Sequence, residues 1–172
     1  WVVFDRHAQL DLIPLREQGA PLLDRVEQLP ISGATVLRMR AADPSIQPVV
    51  KLEGFTWVVD FRLQPFPPRV QAEIRAEADP DIGPKLLFPT ANPGSLVTVP
   101  DPDVGDTLLV ATYRDPGVGV AGTRNYPEFR VLESAQGVVV EPQGDDVLFE
   151  RSFDGFTVSG TDGLHISAVS PE

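Results

Sequence analysis

The residues of this chain that could do chemistry lie in short clusters, and the first of them is rich in glycine. The segment GVGVAG at 117–122 matches the dinucleotide pattern G-x-G-x-x-G. That chemistry needs a strand before the motif and a helix after it, so that the pyrophosphate lies at the helix N-terminus. Here Asp115-Pro116 precedes the motif and Pro127 blocks an early helix. The pattern therefore favours a glycine-rich loop between strands.

A second cluster places three carboxylates on one short segment. DPDVGD at 101–106 contains Asp101, Asp103 and Asp106, and oxygen ligands grouped on a loop can hold calcium. The spacing is not that of an EF-hand loop, and Asp, Pro and Gly are also the residues that a tight turn uses. A structural turn is the favoured interpretation, and a calcium-stabilised adhesion-type domain stays open as an alternative.

Pairs of acidic residues could serve glycoside hydrolysis, which needs two carboxyl groups across a cleft. Asp60 ends an otherwise apolar strand, and Asp145-Asp146 form a pair. A solvated strand face or a hairpin turn is the favoured explanation for each of them. A carbohydrate-active hydrolase, or its sugar-binding accessory domain, is therefore an alternative and not the leading hypothesis.

The chain has only two histidines, His7 and His165. Their spacing does not suggest a metal site. Asp162 and Ser167 lie near His165 in sequence, but the chain has no G-x-S-x-G elbow, so nucleophilic catalysis is not predicted. The sequence thus assigns no catalytic, cofactor-binding or metal-ligating residue, and no cofactor.

Aromatic side chains are the remaining candidates, because they anchor both protein interfaces and sugar faces. Those that could line a groove are Trp1, Trp57, Tyr113, Tyr126 and Phe129. Trp57 is expected in the core because it lies in an apolar stripe. The longest candidate loop, at 114–129, carries Arg114, Arg124 and Tyr126, and it is the first place to expect a partner.

The composition limits the classes of partner. The 172 residues include 14 Lys plus Arg and 25 Asp plus Glu, a net charge of −11, which argues against nucleic acid or an anionic membrane as the main partner. There is no cysteine, which excludes thiolate zinc sites and disulfides. No apolar run is long enough for a membrane span or a signal peptide. A start at Trp1, within an expected strand, suggests a fragment of a longer protein.

Turn signals every eight to twelve residues predict a single all-β domain over 1–172, built of short antiparallel strands in a sandwich or a propeller-like arrangement. The clearest hairpin is VVKLEGFTWVVDFR at 49–62, with a turn at Glu53-Gly54. Val50 and Leu52 are expected to face inward on its first arm, and Phe55, Trp57, Val59 and Phe61 form an apolar stripe on the second. WVVFDR at 1–6 is expected to be a strand covered on both faces. Further strands are predicted at 34–40, 69–77, 85–88, 95–99, 106–112, 128–133 and 137–141, with three more within 145–167.

One segment departs from this pattern. Between Leu10 and Leu29 apolar residues recur at helical spacing, and Pro21 precedes Leu22, Val26 and Leu29. One or two short helices are expected near residues 10–29, capping one end of the core.

Four stretches carry a family resemblance: WVVFDR at 1–6, VVKLEGFTWVVDFR at 49–62, VGDTLLVAT at 104–112 and QGVVVEPQGDDV at 136–147. They resemble the β-rich region of large uncharacterised envelope-associated proteins of alphaproteobacteria, some of which carry tetratricopeptide repeats. The resemblance implies a non-enzymatic, extracytoplasmic module from a longer protein, in the periplasm or cell envelope. The expected function is binding or scaffolding toward a protein or envelope-polymer partner, and the oligomeric state is left open.

Overall fold

A computed structural model describes residues 1–63 and 67–166, and it has the all-β class predicted from the sequence. These residues form one helix, α1 (Ile13–Gly19), and sixteen strands. The first eight strands are β1 (Val2–Phe4), β2 (Leu23–Leu29), β3 (Thr35–Ala41), β4 (Gln47–Glu53), β5 (Thr56–Arg62), β6 (Val70–Gln71), β7 (Arg75–Asp79) and β8 (Gly83–Pro89). The others are β9 (Pro93–Pro100), β10 (Thr107–Tyr113), β11 (Val118–Gly119), β12 (Arg124–Asn125), β13 (Phe129–Leu132), β14 (Val138–Pro142), β15 (Val147–Ser152) and β16 (Gly155–Gly160).

The main core lies between a five-stranded and a four-stranded antiparallel sheet. The five-stranded sheet has the order β12-β13-β14-β10-β9, and the four-stranded sheet has the order β15-β16-β8-β7. Phe88, Phe156 and Val158 from the smaller sheet pack in one cluster with Phe129 and Val140 from the larger. Full burial of each such side chain contributes about 1.5–3 kcal/mol, so this cluster is the largest source of stability.

The opposite face of the five-stranded sheet is also apolar. Successive side chains of a strand point to opposite faces, and in β10 Ala111 and Tyr113 join the main core while Leu108 and Val110 join a second cluster. That second cluster includes Val36 and is covered by a three-stranded sheet of order β1-β3-β2. The five-stranded sheet is therefore the middle layer of three.

The hairpin of β4 and β5 forms a two-stranded sheet of its own and belongs to neither buried cluster. The pairing runs from Gln47↔Arg62 to Glu53↔Thr56, so the turn is Gly54-Phe55 and not the predicted Glu53-Gly54. The one-residue difference places Phe55 at the tip, where it is fully exposed. The predicted stripe therefore begins at Trp57.

The segment 10–29 holds one helix and one strand, so the expectation of a helix through Leu22, Val26 and Leu29 is wrong. The helix α1 ends at Gly19, and Leu23–Leu29 is the strand β2, paired antiparallel with β3. A register shift between Leu23 and Arg25 marks a bulge. The extra residue lets Leu23 and Val26 both point inward, and that three-residue spacing imitates a helical period.

Two other predictions need correction. The expected strand at 69–77 is interrupted, because β6 pairs in parallel with β11 while β7 pairs with β8 in another sheet. Of the three strands expected within 145–167, the structure has β15 and β16. Residues 163–166 form no strand, although Leu164 is buried in the main core, and residue 167 lies outside the described residues. The strands predicted at 34–40, 85–88, 95–99, 106–112, 128–133 and 137–141 are confirmed.

The glycine-rich segment 117–122 is packed against backbone, as a loop between strands requires. A Cβ on Gly119 would lie 2.2 Å from the Ser134 carbonyl oxygen, and Val120 exchanges backbone hydrogen bonds with Ser134. Within the described residues, no helix follows the segment. The glycine at 119 is therefore explained by a close approach of two backbones, without a bound phosphate. In the described part of the chain, no helix is long and apolar enough to span a bilayer.

This close approach can be tested with one methyl group. Gly119→Ala should lower the free energy of unfolding by about 1–3 kcal/mol, because the added Cβ overlaps backbone atoms that cannot move independently. Gly144→Ala is the matched control, since nothing lies within 4 Å of its Cβ position, and it should be nearly neutral. Urea unfolding of both variants measures the difference, and equal stabilities would contradict the packing described.

Candidate binding cleft

A cleft of about 710 Å³ opens between the β4–β5 hairpin, the strand β1 and the middle sheet. It lies within the range of about 300–1,000 Å³ that is typical of small-molecule and cofactor pockets. Its position follows from the fold, because the hairpin stands apart from both buried clusters and faces an apolar part of the middle sheet.

The hairpin supplies one wall, mainly through one face of its two strands. Val50 is paired with Val59 and Leu52 with Trp57 across the two strands, and all four side chains line the cleft. These residues lie on one face because side chains alternate along a strand. The stripe predicted to be core is thus only partly buried, and Trp57 lines the cleft.

The other walls come from the middle sheet and from β1. Val110 belongs to the second core cluster and Val139 packs against it, and both form part of the cleft floor. The start of the chain contributes six consecutive lining residues, from Trp1 to Arg6. Trp1 and Phe4 are 44% and 38% exposed, so the expectation that this strand is covered on both faces is wrong.

A network of hydrogen bonds fixes the end of the cleft that lies at the C-terminal end of β10. The Gln136 amide donates hydrogen bonds to the carbonyl oxygens of Tyr113 (2.9 Å) and Asp115 (2.8 Å), and its oxygen accepts one from the Gly117 N–H (2.6 Å). Nearby, the Thr112 hydroxyl oxygen lies 3.4 Å from Asp5 Oδ2. These contacts hold the 113–117 loop and the end of β1 in place.

The charged residues at the cleft are of both signs. Arg6, Arg114 and Glu133 line it with exposed side chains, and Asp5 is half-buried. The charges therefore do not select a strongly cationic or strongly anionic ligand. Apolar and aromatic surface dominates what this cleft can recognise.

The aromatic residues singled out from the sequence divide into two groups. Trp1, Trp57 and Tyr113 line the cleft. Tyr126 instead stacks on Phe129 with ring centroids 4.7 Å apart, and Phe129 is fully buried. Of the 114–129 loop, only Arg114 reaches the cleft. Phe4 and Val50 were missed as site residues, although the period-two pattern of the hairpin already placed Val50 beside Trp57.

The acidic turn at residues 101–106 is held by Arg38, which lies in strand β3 of the three-stranded sheet. The Arg38 guanidinium donates to Asp103, lies 3.6 Å from an oxygen of Asp101, and also reaches Glu27 at 3.3 Å. The guanidinium carbon Cζ lies over the Trp1 ring, 5.3 Å from the ring centroid. The hydrogen bond from Arg38 lowers the pKa of Asp103, and the same bond raises the pKa of Arg38.

The acidic residues considered for hydrolysis lie away from the cleft. Asp60 pairs with Lys51 and Arg62, each at 3.4 Å, and it is not among the lining residues. Asp145 is exposed, and Asp146 accepts a hydrogen bond from Thr161. The described residues therefore bring no pair of these carboxylates together across a cavity.

The two histidines have structural contacts. His7 Nδ1 lies 3.3 Å from the Ala34 carbonyl oxygen. Glu128 accepts hydrogen bonds from the His165 backbone N–H (2.9 Å) and its ring (2.5 Å). Burial raises the pKa of Glu128, but the bonds from His165 outweigh it and the net direction is downward. Over residues 1–63 and 67–166, no group of three or more His, Asp or Glu side chains could hold a metal ion.

Comparison with protein-family models, with curated proteins and with solved structures finds no match. The cleft must therefore be interpreted from its own geometry.

The Arg38–Asp103 contact predicts an acid-dependent stability. Because the folded-state pKa of Asp103 is lowered, its contribution is fully present above the unfolded pKa of about 4 and is lost as pH falls through the folded pKa. Asp103→Asn should therefore be less stable than the natural chain at pH 7, and the difference should shrink toward pH 3. Urea unfolding across this range measures it. Asp145→Asn, which removes an exposed charge, is the control; a similar loss there would contradict the assignment.

The same contact predicts the response to calcium. Since Asp101 and Asp103 already face a guanidinium, we expect equal melting midpoints in millimolar calcium and in chelator. A bound ion would raise the midpoint by mass action. A calcium-dependent rise that disappears in Asp103→Asn would restore the adhesion-type alternative.

Proposed function

We propose that this chain is a non-catalytic binding module and that the cleft between the β4–β5 hairpin and β1 is its binding site. One observation carries the proposal: an accessible cleft of about 710 Å³ whose walls include Trp1, Trp57 and Val50. Apolar surface left open in this way is typical of recognition sites. A role in a bacterial envelope protein rests on the sequence resemblance alone.

Binding is favoured over hydrolysis by the positions of the acidic residues. Glycoside hydrolysis needs a general acid and a second carboxylate on opposite sides of one cleft. The cleft is lined by Asp5 and Glu133, of which Glu133 is exposed and Asp5 lies beside Thr112. A sugar-binding role remains the alternative, because an exposed indole can stack on a sugar ring.

The site can be tested with an apolar dye. Nile red should bind the folded protein with increased fluorescence, and Val50→Lys should weaken the binding by about tenfold, or roughly 1.4 kcal/mol, because it places an ammonium on the apolar wall. Val49→Lys is the matched control: the neighbouring residue is equally half-buried but does not line the cleft. Circular dichroism checks that both variants fold.

Two outcomes would contradict the proposed site. Dye binding that is unchanged in Val50→Lys would mean that the apolar surface lies elsewhere. Binding of a soluble β-glucan or chitin oligosaccharide that is lost in Trp57→Ala, without dye binding, would favour the sugar-binding alternative.

A further inference from the structure

The outer edge of β1 has no partner strand among the described residues. The sheet order β1-β3-β2 leaves β1 at the edge, with Val2↔Leu37, Val3↔Val36 and Phe4↔Thr35 as its pairs. In an antiparallel ladder each strand directs alternate backbone N–H and C=O groups to each side. Alternate groups of β1 therefore point away from β3 and can form hydrogen bonds with another strand.

The pattern of lining residues shows that this edge faces the cleft. The cleft touches every residue of β1 but none of β3. Because β3 is paired with β1 on one side, a cavity that meets β1 and not β3 lies on the other side of β1, at its outer edge.

β1 has only one of the features that keep edge strands from pairing, its short length of three residues. Proline, charged side chains, bulges and very short strands are the usual protections. Each edge strand longer than β1 has proline, charged side chains or a bulge: β9 has Pro93 and Pro100, β2 has a bulge and Asp24, β7 has Arg75 and Glu77, β15 has Glu150 and Arg151, β4 has Pro48 and Lys51, and β5 has Asp60 and Arg62. The strand Val2–Phe4 consists only of Val and Phe, which favour strands.

We propose that the cleft receives an extended segment of a partner protein, which adds as a strand to the outer edge of β1. This inference rests on the proposed function and names the class of ligand. The partner's backbone would pair with β1, and its side chains at alternate positions would enter the apolar space between Trp1 and Val50. Backbone bonds supply affinity in this mode, and the pockets for alternate side chains supply specificity.

The dimensions and charges define the segment further. β1 has three residues, and the lining continues to Trp1 before it and to Asp5-Arg6 after it. At about 3.3 Å per residue, a partner segment of about six residues would span this length and pair with β1 at its centre. The mixed charges of Arg6, Arg114, Asp5 and Glu133 give no preferred net charge. The segment is therefore expected to have Val, Ile or aromatic residues at every second position within the part that binds.

A second copy of the chain is a poorer occupant than a peptide. Each copy carries a net charge of −11, so two copies repel each other. The edge also lies beside a cleft that the hairpin walls on one side, and a slim extended segment enters such a space more readily than a folded domain.

The test is a selection with a defined probe. A phage-displayed library of random twelve-residue peptides is selected on the intact protein, and enriched sequences are made as synthetic peptides. We expect enrichment of sequences with apolar residues at alternate positions. Their binding should be at least about tenfold weaker with Val50→Lys and unchanged with Val49→Lys. N-methylation of alternate peptide amides should abolish binding in one of the two frames only, because only one set of N–H groups faces β1.

The outcomes that would overturn the inference are distinct from failure of the site itself. No enrichment, or binding that survives N-methylation in both frames, would rule out strand addition. If Nile red binding still depended on Val50, the binding-module proposal would stand for another ligand; if it did not, both would be wrong. Dimerisation in sedimentation experiments that is lost in Val50→Lys would show that a second copy is the occupant.

Discussion

The structure depends on a five-stranded sheet that is apolar on both faces. In β10, Ala111 and Tyr113 point to one side and Leu108 and Val110 to the other, and in β14 Val139 points away from Val138 and Val140 in the same way. A sheet of this kind must be covered twice, because exposed apolar area costs about 25 cal/mol per Å². The four-stranded and three-stranded sheets are the two covers, and together they fix a three-layer arrangement.

The cleft forms because the three-stranded sheet covers only part of the apolar face of the middle sheet. The three-stranded sheet ends at β1, a strand of three residues, and the β4–β5 hairpin stands beyond it without joining either cluster. Between them, part of the middle sheet's apolar face stays open, with Val110 and Val139 at its floor. The apolar hairpin face and the outer edge of β1 therefore border the same space.

The sequence was sufficient for the class and for most strands, because period-two alternation and turn residues are local signals. It failed where non-local contacts decide. The bulge at Leu23 and Arg25 imitated a helix, and only pairing with β3 selects the strand. The burial of a strand face could not be predicted from the sequence either. The alternation correctly put Val50, Trp57 and Val59 on one face, but it could not show whether that face packs in a core or lines a cleft. The role of Asp103 could not be seen either, since Arg38 is 65 residues away in sequence.

Arg38 connects the acidic turn with the cleft. Its guanidinium holds the turn between β9 and β10 through Asp101 and Asp103, and its carbon Cζ lies over the Trp1 ring. A permanently charged guanidinium can do both at once, since it has several N–H donors for carboxylates and is attracted to aromatic rings. The carboxylates that suggested a calcium site thus orient an arginine, and that arginine in turn contacts an aromatic wall of the cleft. At this point, charged groups of this acidic chain position apolar surface of the cleft.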